Sequence, residues 1–359
     1  MDLADTSEAV EDHGPLRGRP WLTSYAPGVA AEIEIPAESL PQMLAASGLR
    51  YGDGVALDFF GAETTYTELA DQVSRAAEAL RAVGVQAGDR MALVLPNCPQ
   101  HVVAFYAALR LGAVVVEHNP LYTANELEHQ LVDCGATVVV CWDKTAPVID
   151  ELRAKTSVQV ILAVDLTSAL PWRMRLKLRL PVARARAART SMTGPVPQGV
   201  LPWERLSSST GPLDPAHPQP GPEDVALLQY TGGTTGTPKG AILTHRNLRA
   251  NAAQGRAWMP GLKDGEETVY AVLPLFHAYG LTLCLTFSMS VGATLVLLPR
   301  FDLDQMLEAI RRRPPTFLPA VPPIYERLAG AARERGVDLT SIRYAISGAM
   351  ALPLSLIHI

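Results

Sequence analysis

Between residues 65 and 165 short apolar runs alternate with segments whose apolar positions recur every three or four residues. Each of those segments carries its own start and stop marks. Thr65 and Glu68 have the spacing of a capping box, Leu69, Val73, Ala76 and Leu80 share one helical face, and Gly84 closes the turn. The strand RMALVLP follows. Pro99 and Gly112 bracket a helix through HVVAFYAALRL, and AVVVEHN reads as a buried strand. Thr123 with Glu126 opens a further helix, Gly135 ends it, and TVVVCW is the next strand; one more helix leads to VQVILAVD. Repeated strand–helix–strand units with strands apolar on both faces predict a parallel sheet, helix-covered on both sides, with right-handed crossovers.

The regularity stops at Leu166. Ten prolines interrupt residues 166–222, and SSSTGPLDPAHPQPGP is rich in turn formers, so this stretch is expected to be an irregular surface connection. A second series begins at Val225: VALLQYT, a glycine-rich loop, GAILTH, a helix from Asn247, TVYAVLP, a helix after His277, and ATLVLL. Asp302 then caps DLDQMLEAIRRR before the strands TFLPAVP and RYAIS. The expected fold class is α/β, two layers with mostly parallel sheets. The expected division is an N-terminal extension (1–38), a first α/β unit (39–165), the proline-rich basic connection (166–222) and a second, incomplete α/β unit (223–359).

Composition narrows the partners. The chain has 359 residues, 48% of them hydrophobic and 19% charged, enough to bury more than one core. A net charge of −5 provides no overall basic field, and no zinc-finger spacing occurs, so nucleic acid is not an expected partner. Cys98, Cys134, Cys141 and Cys284 lack paired spacing and read as reduced, buried thiols. The first fourteen residues carry five acids and no Lys or Arg, the reverse of a secretion signal; the expected location is the cytoplasm.

Two stretches bear on membranes. Residues 278–299 hold no charge, but Thr282, Thr286, Ser288, Ser290 and Gly292 interrupt them, which predicts a buried helix and strand rather than a span. Residues 171–190 hold seven arginines and lysines and no acid, with Trp172, Met174, Leu176 and Leu178 alternating among the bases. Two readings stay open: a peripheral contact with anionic lipid, or a solvated loop with a basic face.

The stretch with the most chemistry is residues 231–240, TGGTTGTPKG: four glycines, four threonines and one lysine between apolar runs. Glycines let backbone N–H groups approach an anion, threonine hydroxyls add donors, and Lys239 adds a mobile positive charge. A glycine cluster by itself is more often an ordinary turn. The Walker A loop needs G-x-x-x-x-G-K-[ST] opening a helix, whereas Pro238 precedes this lysine, Gly240 follows it, and a strand comes next.

YTGGTTGTPKG, LPLFHAYGL, RLGAVVVEHNPLYTANELEHQL and SGAMALP resemble signature segments of the adenylate-forming superfamily of acyl-CoA synthetases, adenylation domains and luciferases, and the four occur in that family's order at plausible separations. The resemblance covers roughly residues 40–353, and VEHNPLYT with PLFHAYGLT looks most like medium- and long-chain fatty acid–CoA ligases. It implies a two-step reaction: a carboxylate attacks the α-phosphate of ATP, carried with Mg²⁺, giving acyl-adenylate and pyrophosphate, and the thiol of CoA then displaces AMP. Two anions meet in the first step, so charge neutralisation and alignment matter more than a nucleophilic side chain.

The resemblance implies that Thr231, Gly232, Gly233, Thr234, Thr235, Gly236, Thr237 and Lys239 bind the phosphates. It implies that His277 meets the reacting carboxylate, and that Tyr279, Gly348, Ala349 and Met350 line the acyl and adenine pocket. His101, His118, His129 and His245 are read as structural, Glu68 and Glu126 as caps, and no residues are expected to bind a metal directly. The pattern departs from the family after Pro353. A tyrosine-glycine and threonine-glutamate segment, a ribose-binding aspartate, a hinge and a lid lysine are all expected beyond it, and neither Lys239 nor Lys263 fits the last role. The chain is therefore expected to be a fragment, inactive alone. The alternatives are a non-catalytic ATP- or acyl-binding remnant, or an acyl-AMP or aryl-acid ligase of the same fold.

Overall fold

The structure, a computed structural model, describes residues 18–232 and 238–353. Its strands, in chain order, are β1 (Val55–Phe59), β2 (Ala62–Thr65), β3 (Arg90–Val94), β4 (Val114–Glu117), β5 (Val138–Trp142), β6 (Val160–Val164) and β7 (Leu201–Pro202). There follow β8 (Val225–Thr231), β9 (Lys239–Thr244), β10 (Thr268–Ala271), β11 (Thr294–Leu297), β12 (Phe317–Ala320) and β13 (Tyr344–Ser347). One sheet has seven strands in the order β7-β6-β5-β3-β4-β8-β9, the other six in the order β13-β12-β10-β11-β1-β2. Every pairing is parallel except the hairpins β1–β2 and β8–β9.

The strand periodicity explains the layers. In β3 and β5, Met91, Leu93, Val138 and Val140 turn toward one core, whereas Ala92, Val94, Val139 and Cys141 turn toward another. The larger core takes in the helices Leu40–Tyr51, Tyr66–Ala82 and Pro99–Arg110 together with the six-stranded sheet; the smaller one is covered by Ala124–Cys134 and Ala146–Glu151. Both expected capping boxes form, with Thr65 N–H donating to Glu68 Oε2 at 2.8 Å and Thr123 N–H to Glu126 Oε2 at 2.8 Å. Those Thr123 bonds hold the Glu126 carboxyl below the usual range. All four cysteines are unbridged and buried, and burial pushes the thiols of Cys98, Cys141 and Cys284 up to about 12 and that of Cys134 to about 11.

Two expectations need correction. The sheets exchange strands across the expected units: β1 and β2, from 39–165, lie in the six-stranded sheet, and β8 and β9, from 223–359, lie in the seven-stranded one. An apolar run specifies a strand but not its neighbour. Here β1 pairs with β11 on one edge, while the two-residue turn Phe60–Gly61, both at positive φ, folds β2 onto its other edge. Buried Asp58 completes the joint by accepting from Arg312 Nη2 at 2.9 Å and Arg313 Nε at 3.1 Å.

Residues 166–222 are also more regular than expected. They contain the helices Trp172–Leu178, Ala183–Met192 and Trp203–Ser209, and β7 pairs with β6. The prolines punctuate rather than abolish structure: Pro171 and Pro202 each precede a first helical turn, and β7 is an edge strand. A helix also re-sorts the apolar residues of the basic segment. Met174 and Leu178, one turn apart, pack on the core, while Trp172 and Leu176 face solvent.

The uncharged stretch becomes a π-helical turn at Gly280–Thr286, the helix Phe287–Val291 and the buried β11. Among the described residues no helix is long and apolar enough to cross a membrane.

Candidate functional site

The glycine-rich loop joins two strands, as its spelling predicts. The last ladder pair of the β8–β9 hairpin is Thr231 with Lys239, and both, like Gly232, are exposed. Gly233, Thr234, Thr235, Gly236 and Thr237 lie outside the described residues. The root of the hairpin is fixed to the helix Ala124–Cys134. The Tyr230 hydroxyl donates to the Asp133 carboxylate, and a Cβ on Gly240 would stand 3.4 Å from the Tyr230 ring. His118 stacks on that ring at 5.9 Å and 27° and donates from Nδ1 to Gln130 Oε1 at 2.6 Å. Burial pulls its pKa down to about 4, so the imidazole is neutral near neutral pH.

His277 sits in the segment that leaves β10 and enters the π-helical turn. Two buried carboxamides from the seven-stranded sheet hold this segment. Asn97, just after β3, donates from Nδ2 to the carbonyls of Ala271 (2.9 Å) and Leu273 (2.8 Å) and accepts at Oδ1 from Leu275 N–H (2.8 Å). Gln229, on β8, donates from Nε2 to the carbonyl of Phe276 at 2.9 Å. The His277 ring lies against Phe276, with centroids 4.7 Å apart, and its outer face is exposed. Partial burial lowers its pKa below the ordinary histidine value, which leaves it neutral near neutral pH.

The turn after His277 depends on a glycine. A Cβ on Gly280 would stand 2.1 Å from the Pro274 carbonyl oxygen, so a side chain there displaces the segment. π-Helical turns inside helices are frequent at functional sites. Tyr279 points the other way along the six-stranded sheet. Its hydroxyl donates to the carbonyl of Ile346 at 2.6 Å, and its ring lies where a Cβ on Gly348 would approach to 3.0 Å. Burial pushes its pKa up to about 12, so the hydroxyl remains a donor. Ala349 takes a left-handed φ of 64° and Met350 is exposed.

The structure thus brings Tyr279 into contact with Gly348 and ties the residue before His277 to the strand that enters the glycine-rich loop. Asn97, Gln229 and the π-helical turn carried no expectation from the sequence. The available signal was an amide at an inward position of an apolar strand: Leu227, two residues earlier on the same face, is in the core. An open depression of about 550 Å³ lined by Glu78, Arg81, Leu213 and His217 shares no residue with this site. Among the described residues no three His, Cys, Asp or Glu gather as a metal site.

The family model described as AMP-binding enzyme matches residues 44–358. A long-chain-fatty-acid–CoA ligase of Bacillus subtilis is 36% identical over 339 residues, covering 94% of this chain and 60% of the relative. A 4-coumarate–CoA ligase of rice, Oryza sativa, is 34% identical over 292 residues, covering 80% of this chain and 47% of the relative. Among solved structures, a long-chain-fatty-acid–CoA ligase of Archaeoglobus fulgidus superposes with a TM-score of 0.76 at 27% identity, covering 93% of this chain and 62% of that one. The chain therefore spans about 60% of the length of the fatty-acid ligases it matches.

Proposed function

The chain belongs to the AMP-binding enzyme family, and from that premise we propose that it carries the phosphate and acyl faces of a site activating a fatty acid with MgATP and CoA. In this reading the loop from Thr231 to Lys239 binds the β- and γ-phosphates of MgATP through backbone N–H groups, hydroxyls and the Lys239 ammonium. The same donors stabilise the departing pyrophosphate. The fatty carboxylate lies beside His277, where a neutral imidazole has one N–H to donate and can orient the acid toward the α-phosphate. Tyr279, Gly348, Ala349 and Met350 shape the wall between acyl chain and adenine. Once the acyl-adenylate has formed, the CoA thiol attacks its carbonyl and AMP leaves.

The observation that carries this reading is the Gln229–Phe276 hydrogen bond. It couples the entry strand of the phosphate loop to the histidine segment, so both halves of an adenylation site are referred to one strand. The test is calorimetric titration of the chain with sulfamoyl-adenosine mimics of acyl-adenylates carrying octanoyl, palmitoyl or benzoyl groups. Saturable binding with a fatty mimic preferred is the expected result. A benzoyl preference would favour the aryl-acid reading, which the rice relative supports, and no binding of any mimic would contradict an adenylation site.

The location that suits this reaction is the cytoplasm, with peripheral contact at the inner membrane surface through residues 171–190. Trp172 and Leu176 are 64% and 58% exposed on the same helical face, and the segment is basic throughout. Sedimentation with vesicles of anionic and of zwitterionic lipid checks it. Binding to the anionic vesicles should drop when Arg173, Arg175, Lys177 and Arg179 are neutralised; unchanged binding would leave the basic face merely solvated.

A further inference from the structure

The structure assigns Asn97 and Gln229 a role as positioning residues: two buried carboxamides, one just after β3 and one on β8, that set the register of the His277 segment as it leaves the other sheet. The inference rests on the reading of His277 as the residue that meets the carboxylate, and it goes beyond it by naming what holds that residue in place.

Ala271 is the last ladder residue of β10, paired with Leu297, and from its carbonyl to Phe276 the chain runs between β10 and the π-helical turn, where backbone N–H and C=O groups need partners outside regular structure. Burying them unpaired would be costly. Asn97 and Gln229 satisfy four of them, the carbonyls of Ala271, Leu273 and Phe276 and the N–H of Leu275. Two carbonyls and one N–H converge on Asn97, a set that requires two donors and one acceptor on a single side chain. Only a carboxamide supplies it: aspartate keeps the acceptor and loses both donors, and leucine loses all three.

The source of the two amides matters as much as their chemistry. Both come from the side of the seven-stranded sheet, Asn97 from the loop that follows β3 and Gln229 from β8, two residues before Thr231. A loop side chain and a strand side chain therefore fix the segment at both ends, at residues 271–275 and at residue 276. Gly280 closes the geometry from beyond, since its bare backbone passes within contact of Pro274. A shift of the segment by one residue would break all four bonds together, so its position is specified rather than merely favoured.

A structural amide and a positioning amide make different predictions, and a third buried amide separates them. Gln100, three residues beyond Asn97, donates from Nε2 to the Asp165 carbonyl (3.2 Å), Ser168 Oγ (2.9 Å) and Glu204 Oε1 (3.3 Å), so Gln100→Leu loses comparable bonds close by in the chain but none to the His277 segment. The variants to compare are Asn97→Ala, Asn97→Asp, Gln229→Met and Gln100→Leu in the full chain. Each is read by the imidazole NMR titration of His277 and by affinity for the palmitoyl-adenylate mimic. Asn97→Ala and Gln229→Met should bring the His277 titration midpoint up toward the ordinary value, as the ring gains water, and weaken the mimic about tenfold. Asn97→Asp retains the Leu275 acceptor but turns a carboxylate toward two carbonyl oxygens and should weaken the mimic likewise; its added charge raises the His277 midpoint by itself, so there the affinity decides. Gln100→Leu should lower thermal stability while leaving both readouts in place.

An unmoved His277 midpoint in folded Gln229→Met, or undiminished mimic affinity in folded Asn97→Asp and Gln229→Met, would overturn the assignment. So would equal changes in Gln100→Leu. If the unaltered chain does not bind the mimic, the adenylation reading fails by itself, and the His277 titration still decides the role of the two amides.

Discussion

The helices around the seven-stranded sheet and the segment that carries His277 are held in opposite ways. The helix Tyr66–Ala82 begins at a reciprocal cap between residues three apart, and the helix Ala124–Cys134 begins the same way and ends on a left-handed Gly135. The His277 segment, by contrast, is held by Asn97 from 174 to 178 residues away and by Gln229 from 47 residues away. Local bonds form whenever the helix forms, whereas the site segment acquires its shape only after both sheets are in place. The rigid frame is thus encoded residue by residue, and the chemistry is suspended between two frames.

The largest effect that sharpens this contrast is expected in the frame. Phe105 is completely buried in the larger core, and Phe105→Ala should cost about 3–5 kcal/mol in a urea unfolding experiment. A cost under about 1 kcal/mol would mean the core is not the close-packed frame described.

Next in size is a dependence on pH. His118, buried and neutral, has its pKa pulled from 6.5 to about 4, so the unfolded chain binds the extra proton first as pH falls. Stability from this group is complete above about pH 6.5 and is lost between 6.5 and 4, by at most about 3 kcal/mol. Asp143, raised by burial to about 6, acts in the opposite sense over much of the same window. The clean measurement is therefore the difference between wild type and His118→Asn, whose unfolding midpoint should fall less steeply with acidification. Parallel curves for the two would show that His118 does not titrate as its burial requires.

Gly280→Ala probes the suspended segment. The added methyl meets the Pro274 carbonyl, and we expect a stability loss of about 1–3 kcal/mol together with at least tenfold weaker binding of an acyl-adenylate mimic. The smallest effect belongs to a local device: Thr65→Ala removes an N-cap and should cost about 1 kcal/mol while leaving mimic affinity unchanged. If Thr65→Ala weakened the mimic as much as Gly280→Ala, the distinction between frame and site would collapse.

The same contrast explains what could be read from the chain. Capping pairs such as Thr123 with Glu126, the alternation in β3 and β5, and the Asp302 cap are short-range patterns, and each element they mark is present. Which strands become neighbours is a long-range fact, and β1 joining β11 left no trace in the spacing of either. Proline count misled in residues 166–222 because Pro171 and Pro202 stand at helix starts, where a missing N–H costs nothing. At the site, the glycine-rich loop and its place between strands were legible from composition. The roles of Asn97 and Gln229 were not, because an amide's partners are backbone groups brought near only by the fold.

The central claim is that one ligand meets residues from both sheets, and the direct measurement is an NMR titration of the chain with the palmitoyl-adenylate mimic. The His277 imidazole and the backbone amides of Gly348 and Lys239 are followed through it. The account predicts that all three signals shift along one saturation curve with a single Kd. Binding that moves Lys239 alone, or that leaves His277 unmoved at saturation, would contradict it.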